Sequence, residues 1–260
     1  MAGVPAQTTI ELAGRTVRRI GLGTNRLADS PEHRSFLTAA LASGLDHVDS
    51  AHLYGGGESE STIGAALAPF PDEIVVATKA GYRPGEGDPS RLRNQLERSF
   101  ERLRTERIPL CYLHRVDPET PLEESLRALR EYVLDGRVEH VGISEASVEQ
   151  IERAREVLPI SAVQNEYSLT ERKWEDVVDH CTREGIVFVP FFPLRGGGPR
   201  AVSEIAADYG STPHQIALAW LLRRSPVIAA IPGTLSLEHL RENLAALDIE
   251  LADEDYERLL

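Results

Sequence analysis

Short apolar runs rich in β-branched residues alternate with stretches of helical periodicity along nearly the whole chain. Each of eight such runs is followed by residues with the spacing of an amphipathic helix. This order predicts parallel strands joined by helices, and eight units of this kind close into a (β/α)8 TIM barrel rather than an open doubly wound sheet. The predicted strands lie at Ile20, at Val48 and at residues 74–78, 110–113, 140–143, 162–163, 187–189 and 228–231. The predicted helices span residues 31–43, 59–67, 89–103, 121–134, 148–157, 171–184, 201–209 and 237–247.

The length of the chain fits one domain of this architecture. Its 260 residues are about the number in a single (β/α)8 barrel. No linker, repeat or low-complexity tract divides residues 1–260, so one α/β domain is expected. Residues 1–7 are expected to form a loose tail. Residues 8–18 alternate in polarity around Ala13 and Gly14, which predicts a β-hairpin ahead of the barrel.

Gly21 and Gly23 resemble part of a dinucleotide-binding fingerprint. That motif needs a third glycine where this chain has Arg26, and a helix that starts at once, whereas Pro31 delays the helix. We therefore reject the fingerprint, and with it the open sheet that carries it.

The composition argues against several classes of protein. No apolar run is long enough to span a bilayer, and the N-terminus lacks the pattern of a signal peptide. Cys111 and Cys181 lie in apolar patterns and are expected to be buried thiols, so a reducing cytoplasm is the expected location. The net charge of −13 argues against a nucleic-acid partner, and an anionic cofactor must be held by a local pocket. No metal is expected, and the chain is expected to be a monomer or a weak oligomer.

Polar residues follow three successive predicted strands. Asp49 ends the strand at Val48 and Tyr54 follows in a glycine-rich turn, Lys79 ends the next strand, and His114 ends the third. Each residue alone has an ordinary structural interpretation as a turn former, a packing residue or a solvated charge. The carboxyl ends of barrel strands meet at one face, however, so we expect the four side chains to lie together.

Such a group suits proton transfer to a carbonyl oxygen. A buried ammonium at Lys79 stabilises the phenolate of a neighbouring tyrosine, and a carboxylate at Asp49 keeps that ammonium charged. An imidazole at His114 can orient a carbonyl by hydrogen bonding. The sequence therefore predicts Tyr54 as a tuned general acid aimed at a developing alkoxide.

The chain resembles the aldo-keto reductases, a family of (β/α)8-barrel, NAD(P)H-dependent carbonyl reductases. The resembling segments occur in the order found in that family, at residues 21–24, 49–55, 78–79, 113–115, 142–144, 164–167, 193–194 and 231–234. The resemblance implies that Asp49, Tyr54, Lys79 and His114 form a catalytic tetrad with Tyr54 as proton donor. It also implies that the N-terminal hairpin caps the bottom of the barrel.

The resemblance further implies a cofactor cleft at the later strand ends. Ser144 and Gln164 would hold the nicotinamide amide, and Phe191 is expected either to stack on the ring or simply to pack in the barrel. Glu145 stands where the family usually has asparagine, and its role stays open. The full set of expected cofactor contacts is Gly23, Thr24, Asn25, Ser144, Gln164, Phe191, Pro193, Leu194, Arg195, Ile231, Gly233, Thr234, His239 and Asn243.

The phosphate end of the cofactor site has two alternatives. Residues 195–200 either wrap the pyrophosphate, with Arg195 as a ligand, or form a short surface loop. Thr234 is expected to begin a helix whose N-terminus favours anions. Gly233 supplies no charge, which leaves His239 and Arg241 as candidates for the 2′-phosphate of NADPH. NADPH is the expected cofactor, with NADH as the alternative.

The expected substrate is a small carbonyl compound. The brief loop at residues 193–200 implies an open pocket lined by Leu53, Tyr82, Arg115 and Phe192. Such a pocket would admit varied aldehydes, including pyridoxal-like, aromatic and sugar-derived ones. Arg115 has two interpretations, as a contact for an anionic substituent or as the partner of Asp117 in a salt bridge.

Two other classes of function are weighed against the reductase. The first is a non-catalytic NADP(H) sensor or regulatory protein on the same barrel, against which an intact tetrad argues. The second is a lyase that forms a Schiff base at Lys79. That lyase would leave the predicted sites at Ser144 and Gln164 without a use.

Overall fold

The computed structural model describes residues 7–195 and 200–260. All of the predicted tail except Gln7 lies outside these residues. The predicted hairpin is present, with β1 (Thr9–Leu12) antiparallel to β2 (Arg15–Arg18). Ala13 and Gly14 connect them with φ angles of 50° and 70°. A two-residue turn with positive φ at both positions matches the twist of the strands that it joins.

Seven strands form one parallel sheet in sequence order. Each strand pairs with the next along the chain, and the helices between them make the crossovers. These strands are β3 (Leu22–Gly23), β4 (His47–Asp49), β5 (Val75–Ala80), β6 (Ile108–Leu113), β7 (Val138–Ser144), β8 (Ile160–Gln164) and β9 (Val187–Phe188).

The eighth predicted strand, residues 228–231, closes the barrel through isolated bridges instead of a continuous ladder. Ile228 bridges to Phe188 of β9, and Ala230 bridges to Ile20 just before β3. The backbone N–H of Gly21 donates to the Ala230 carbonyl at 2.8 Å. The segment therefore joins the last strand of the sheet to the first, and the (β/α)8 architecture predicted from the sequence is confirmed.

Helices surround the sheet. All eight predicted helices are present, several with shifted ends. The described residues also form two helices that were not predicted, Pro213–Arg224 and Asp253–Glu257. The helices are α1 (Pro31–Ala42), α2 (Glu58–Leu67), α3 (Pro89–Leu103), α4 (Leu122–Leu134), α5 (Val148–Arg155), α6 (Glu175–Glu184), α7 (Arg200–Asp208), α8 (Pro213–Arg224), α9 (Leu237–Ala245) and α10 (Asp253–Glu257).

The hairpin packs against the hydrophobic core inside the barrel. Leu12 and Val17 of the hairpin are fully buried and pack in one cluster with Val75, Leu110 and Val187. These partners lie on strands β5, β6 and β9, so the hairpin covers the amino end of the barrel, as the resemblance implied. Chemistry is thereby confined to the opposite, carboxyl end.

The two cysteines are free and buried, as predicted. Burial raises the pKa of each thiol to about 12, so both stay protonated. Within residues 7–195 and 200–260, none of the helices combines the length and the apolar character needed to cross a membrane.

Candidate active site

A buried ion pair lies at the carboxyl end of the barrel. Lys79 Nζ donates to Asp49 Oδ1 at 2.5 Å and to the Ser50 carbonyl at 2.6 Å. Strands β4 and β5 are parallel neighbours, which brings the two side chains together. Burial by itself would lower the pKa of Lys79. The nearby charges of Asp49 and Tyr54 act in the opposite direction, and the net result is a pKa above the ordinary value. Lys79 is therefore a fixed cation beneath the site.

Tyr54 stands above this ion pair. It opens a short 3-10 turn in which Gly55, Gly56 and Gly57 take φ angles of 58°, 66° and 105°. Only glycine adopts three such conformations in a row without strain. The turn brings the Tyr54 hydroxyl to 3.3 Å from Lys79 Nζ, which lies 4.9 Å from the centre of the ring. Ammonium and phenol thus form the pair that the sequence predicted.

His114 completes the predicted tetrad. It follows β6 directly, is 5% exposed, and packs its ring edge-on to Tyr54 with centroids 6.1 Å apart. Burial, and then the charges of Lys79 and Arg115, hold the pKa of His114 well below its usual 6.5. Its Nδ1 has no partner within the described part of the chain. A neutral imidazole in this position can orient a carbonyl without adding charge.

Gln164 connects the expected cofactor site to the tetrad. Its Nε2 donates to Asp49 Oδ2 at 2.9 Å. An ionised carboxylate only accepts hydrogen bonds, so the amide nitrogen must face Asp49, and the amide oxygen is left for another donor. Ser144 lies opposite Gln164 in the register of β7 and β8.

A cleft of about 480 Å³ opens above the tetrad. Most of the expected contacts line it, and Lys79 lies beneath its floor. The predicted residues that line it are Gly23, Thr24, Asn25, Asp49, Leu53, Tyr54, Tyr82, His114, Arg115, Ser144, Gln164, Phe191, Phe192, Pro193, Leu194, Arg195, Ile231 and Gly233. Thr234, His239 and Asn243 do not line it. Pro232, within the resembling segment 231–234, also lines it, as does Arg26, which was not predicted and which follows Asn25 directly in the first loop.

The barrel closes tightly beside the cleft. A Cβ added at Gly23 would lie 2.8 Å from the Ile231 carbonyl oxygen, so the position has no room for a side chain. The Thr24 hydroxyl donates to the Asp49 carbonyl at 2.8 Å and also bonds Ser59. Thr24 therefore offers its backbone to the cleft, while its side chain holds the end of β4.

Of the two interpretations of Arg115, the salt bridge with Asp117 is not observed between these two described residues. Asp117 instead accepts from the backbone N–H groups of Gly85 and Gly87, at 2.9 and 2.8 Å, and so orders the loop after β5. Arg115 donates to Ser144 Oγ at 3.1 Å. Its guanidinium also lies over two aromatic rings of the cleft, those of Tyr82 and Phe191, at 5.1 and 5.7 Å from their centres.

Glu145 has a structural contact that the sequence left open. Its φ is 53°, in the left-handed region, and its Oε1 accepts from the backbone N–H of Glu166 at 2.8 Å. The side chain of the neighbouring Asn165 accepts from the backbone N–H of Ala146 and donates to the Ala146 carbonyl. The two side chains fix the loops after β7 and β8, from which Ser144 and Gln164 reach the cleft.

The helix expected at Thr234 begins later. Ser236 is the N-cap of α9, where its hydroxyl accepts from the His239 N–H, and Thr234 Oγ1 accepts from the Ser236 N–H. The prediction that Thr234 begins the helix was wrong, because its hydroxyl orders the turn that precedes the cap. His239 and Arg241 are exposed on α9, and Asn243 is buried.

Arg195 forms an ion pair with Glu166 and lies 4.4 Å from the centre of the Phe192 ring. Residues 196–199, which were expected either to wrap the pyrophosphate or to form a surface loop, lie outside the described residues.

Comparison with known proteins agrees with this geometry. The sequence matches the model of the Aldo/keto reductase family over residues 19–200 and 198–260. It is 35% identical to pyridoxine 4-dehydrogenase of Escherichia coli, over 96% of each chain. Its structure resembles a thermostable aldo-keto reductase in complex with epalrestat (TM-score 0.90, 33% identity, 97% of this chain and 98% of that one). It also resembles an aldo-keto reductase of Klebsiella pneumoniae in complex with NADPH (TM-score 0.87, 28% identity, 97% and 94%).

The chain therefore belongs to the aldo/keto reductase family. It is an NAD(P)H-dependent oxidoreductase.

Proposed function

We propose that this protein reduces the carbonyl group of an aldehyde or ketone to an alcohol with NADPH, and that Tyr54 donates the proton. One observation carries the proposal. A buried ammonium, Lys79, bonds the Asp49 carboxylate on one side and reaches the Tyr54 hydroxyl on the other. This arrangement stabilises the phenolate that remains once the proton has left.

The residues of the cleft fit a nicotinamide. Ser144 and Gln164 present a hydroxyl and an amide oxygen side by side, and a carboxamide needs such neutral partners to be held in one orientation. The oxygen of Gln164 suits the carboxamide NH2, because its own nitrogen is committed to Asp49. Phe191 provides an aromatic face on the wall of the same cleft. When bound, the nicotinamide supplies the hydride that the reduction requires.

The tetrad performs the proton chemistry. His114, kept neutral by burial, donates a hydrogen bond that orients the substrate oxygen. Tyr54 gives its proton to that oxygen as negative charge develops. Lys79 then stabilises the phenolate, while Asp49 keeps Lys79 in place. The half-buried walls of the cleft reduce competition from water, which strengthens each of these interactions.

The Schiff-base alternative is disfavoured. A lysine that forms a Schiff base must be neutral when it attacks, which a lowered pKa favours. Burial lowers the pKa of Lys79, but the charges of Asp49 and Tyr54 and the hydrogen bonds to both residues together raise it above its ordinary value. Lys79 is therefore suited to act as a fixed charge.

Substrate and setting follow from the same site. Leu53, Tyr82 and Phe192 leave an open, largely apolar entrance, which suits aromatic and pyridoxal-like aldehydes. The buried free thiols at Cys111 and Cys181 fit a reducing cytoplasm, and we propose that the protein is a monomer or a weak oligomer.

The proposal is tested by NADPH oxidation, followed by absorbance, with pyridoxal, benzaldehyde and a sugar-derived aldehyde. Turnover that requires both NADPH and aldehyde supports it. NADPH binding without turnover of any of these carbonyls would favour a sensor, and would contradict the catalytic assignment.

A further inference from the structure

A second cleft of about 340 Å³ adjoins the active site. It lies between the loops that follow β4 and β5 and the outer face of α3. Leu53, Tyr82 and His114 line both clefts, and Lys79 reaches the second one as well. The remaining lining residues are His52, Gly56, Gly81, Arg83, Glu86, Gln95, Arg98 and Arg102. None of the proposed cofactor contacts is among them, so a bound cofactor leaves this space free.

The charge of the second cleft is positive, in a chain whose net charge is −13. Of its arginines, Arg102 pairs with the buried Glu60 at 3.3 Å and Arg83 pairs with Glu86 at 3.4 Å. Arg98 is exposed and forms no salt bridge or side-chain hydrogen bond with any residue that the structure describes. Its charge is therefore available to a ligand.

His52 does not add to this charge. It lies beside the same arginines, with Arg102 NH1 at 3.3 Å from its Nδ1. Burial, and then the charges of Arg102 and Arg98, lower the pKa of His52 to about 4. At neutral pH the cleft therefore offers a guanidinium beside a neutral imidazole, which suits an anion. The single carboxylate of the lining, Glu86, is held by the backbone N–H groups of Tyr82 and Arg83.

We propose that the second cleft is an anion subsite, which binds a carboxylate or phosphate at the far end of the substrate through Arg98. The inference rests on the proposed carbonyl reduction, since the reacting carbonyl is placed at Tyr54 and His114. A substrate that leaves the tetrad between Leu53 and Tyr82 enters the second cleft directly. The preferred substrates are then aldehydes or ketones with an acidic group remote from the carbonyl.

The test compares 4-carboxybenzaldehyde with benzaldehyde, in the wild type and in Arg98→Gln. Loss of a charge-assisted contact is expected to raise KM for the carboxylated aldehyde about ten-fold, with KM for benzaldehyde and both kcat values within two-fold. Arg98→Lys should restore part of the effect. Arg130→Gln removes the same charge from the exposed face of α4 and should change neither KM. An equal effect of Arg98→Gln on both aldehydes, or no effect on either, would overturn the proposal.

Competition with inorganic phosphate tests whether the subsite also binds a free anion, in addition to an anionic group on the substrate. Phosphate bound at Arg98 should compete with 4-carboxybenzaldehyde in the wild type but not in Arg98→Gln. Inhibition that persists unchanged in Arg98→Gln would place the phosphate elsewhere and count against the subsite. Calorimetric titration of both aldehydes needs no turnover. If neither aldehyde is reduced, but the carboxylated one binds through Arg98, the reductase proposal fails and the subsite stands.

Discussion

Gln164 Nε2 and Asp49 Oδ2 share a hydrogen bond of 2.9 Å across the barrel. The other oxygen of the same carboxylate accepts from Lys79. A residue proposed to hold the cofactor is thus bonded to the carboxylate that pairs with Lys79. The proposed cofactor contact and the ammonium beside the proposed proton donor therefore share a single side chain, Asp49, and we expect the two functions to be coupled through it.

Replacement of Gln164 by Leu should weaken NADPH binding and also slow turnover. The variant loses the bond to Asp49 and the proposed amide contact. Each partner group that is left without a hydrogen bond costs about 1–3 kcal/mol. We expect KM for NADPH to rise about ten-fold and kcat to fall several-fold in steady-state assays. An increase in KM with kcat unchanged would show that Gln164 acts on the cofactor alone and would contradict the coupling.

Replacement of Lys79 by Met should destabilise the fold as well as abolish activity. It leaves Asp49 as an uncompensated buried charge, which costs about 3–5 kcal/mol. Lys79→Met combined with Asp49→Asn removes that charge and should recover part of the free energy of unfolding, measured in urea. Equal stability of the single and double variants would mean that Gln164 and solvent are enough to stabilise the buried charge of Asp49, and would contradict this prediction.

His47 should make the stability of the protein depend on pH. It is fully buried, neither ring nitrogen has a partner among the described residues, and burial lowers its pKa to about 4. The unfolded chain binds this proton below pH 6.5 and the folded chain does not. Stability is therefore full above about pH 6.5 and falls by about 3 kcal/mol as pH drops to 4.

The matched variant is His47→Leu. Urea unfolding between pH 7 and pH 4 should show a shallower fall for this variant than for the wild type. Parallel curves would mean that His47 does not carry the dependence.

Cofactor preference should depend on α9. His239 and Arg241 are the exposed basic residues near its start, so Arg241→Gln is expected to raise KM for NADPH about ten-fold through loss of a charged phosphate contact, with KM for NADH unchanged. Arg127→Gln, on the exposed face of α4, is the control. Equal losses with both nucleotides would place Arg241 outside the 2′-phosphate site.

The sequence predicted the barrel because parallel strands covered by amphipathic helices leave a strong periodic pattern. It missed α8 because residues 216–222 of that helix are all buried, so no polar face marks the period. The capping box of Thr212 and Gln215 was the available signal. α10, with five residues, is too short to show a period.

That the four side chains of the proposed tetrad lie together was predictable, because each stands close to the carboxyl end of a strand. The salt-bridge interpretation of Arg115 was wrong because backbone N–H groups already bond the Asp117 carboxylate. Proximity in sequence does not reveal such competition. The second cleft was not predicted, since His52 and Arg98 come to line one cleft only after the loop that follows β4 has packed beside α3. Such contacts between distant segments leave no local pattern.

The most direct test of the account is Tyr54→Phe, assayed for NADPH affinity by fluorescence quenching and for kcat with benzaldehyde. Loss of the general acid should lower kcat by about 10²–10⁴-fold, while the Kd for NADPH stays within two-fold because the phenol does not hold the cofactor. A variant that retains the wild-type kcat would contradict the assignment of Tyr54 as proton donor.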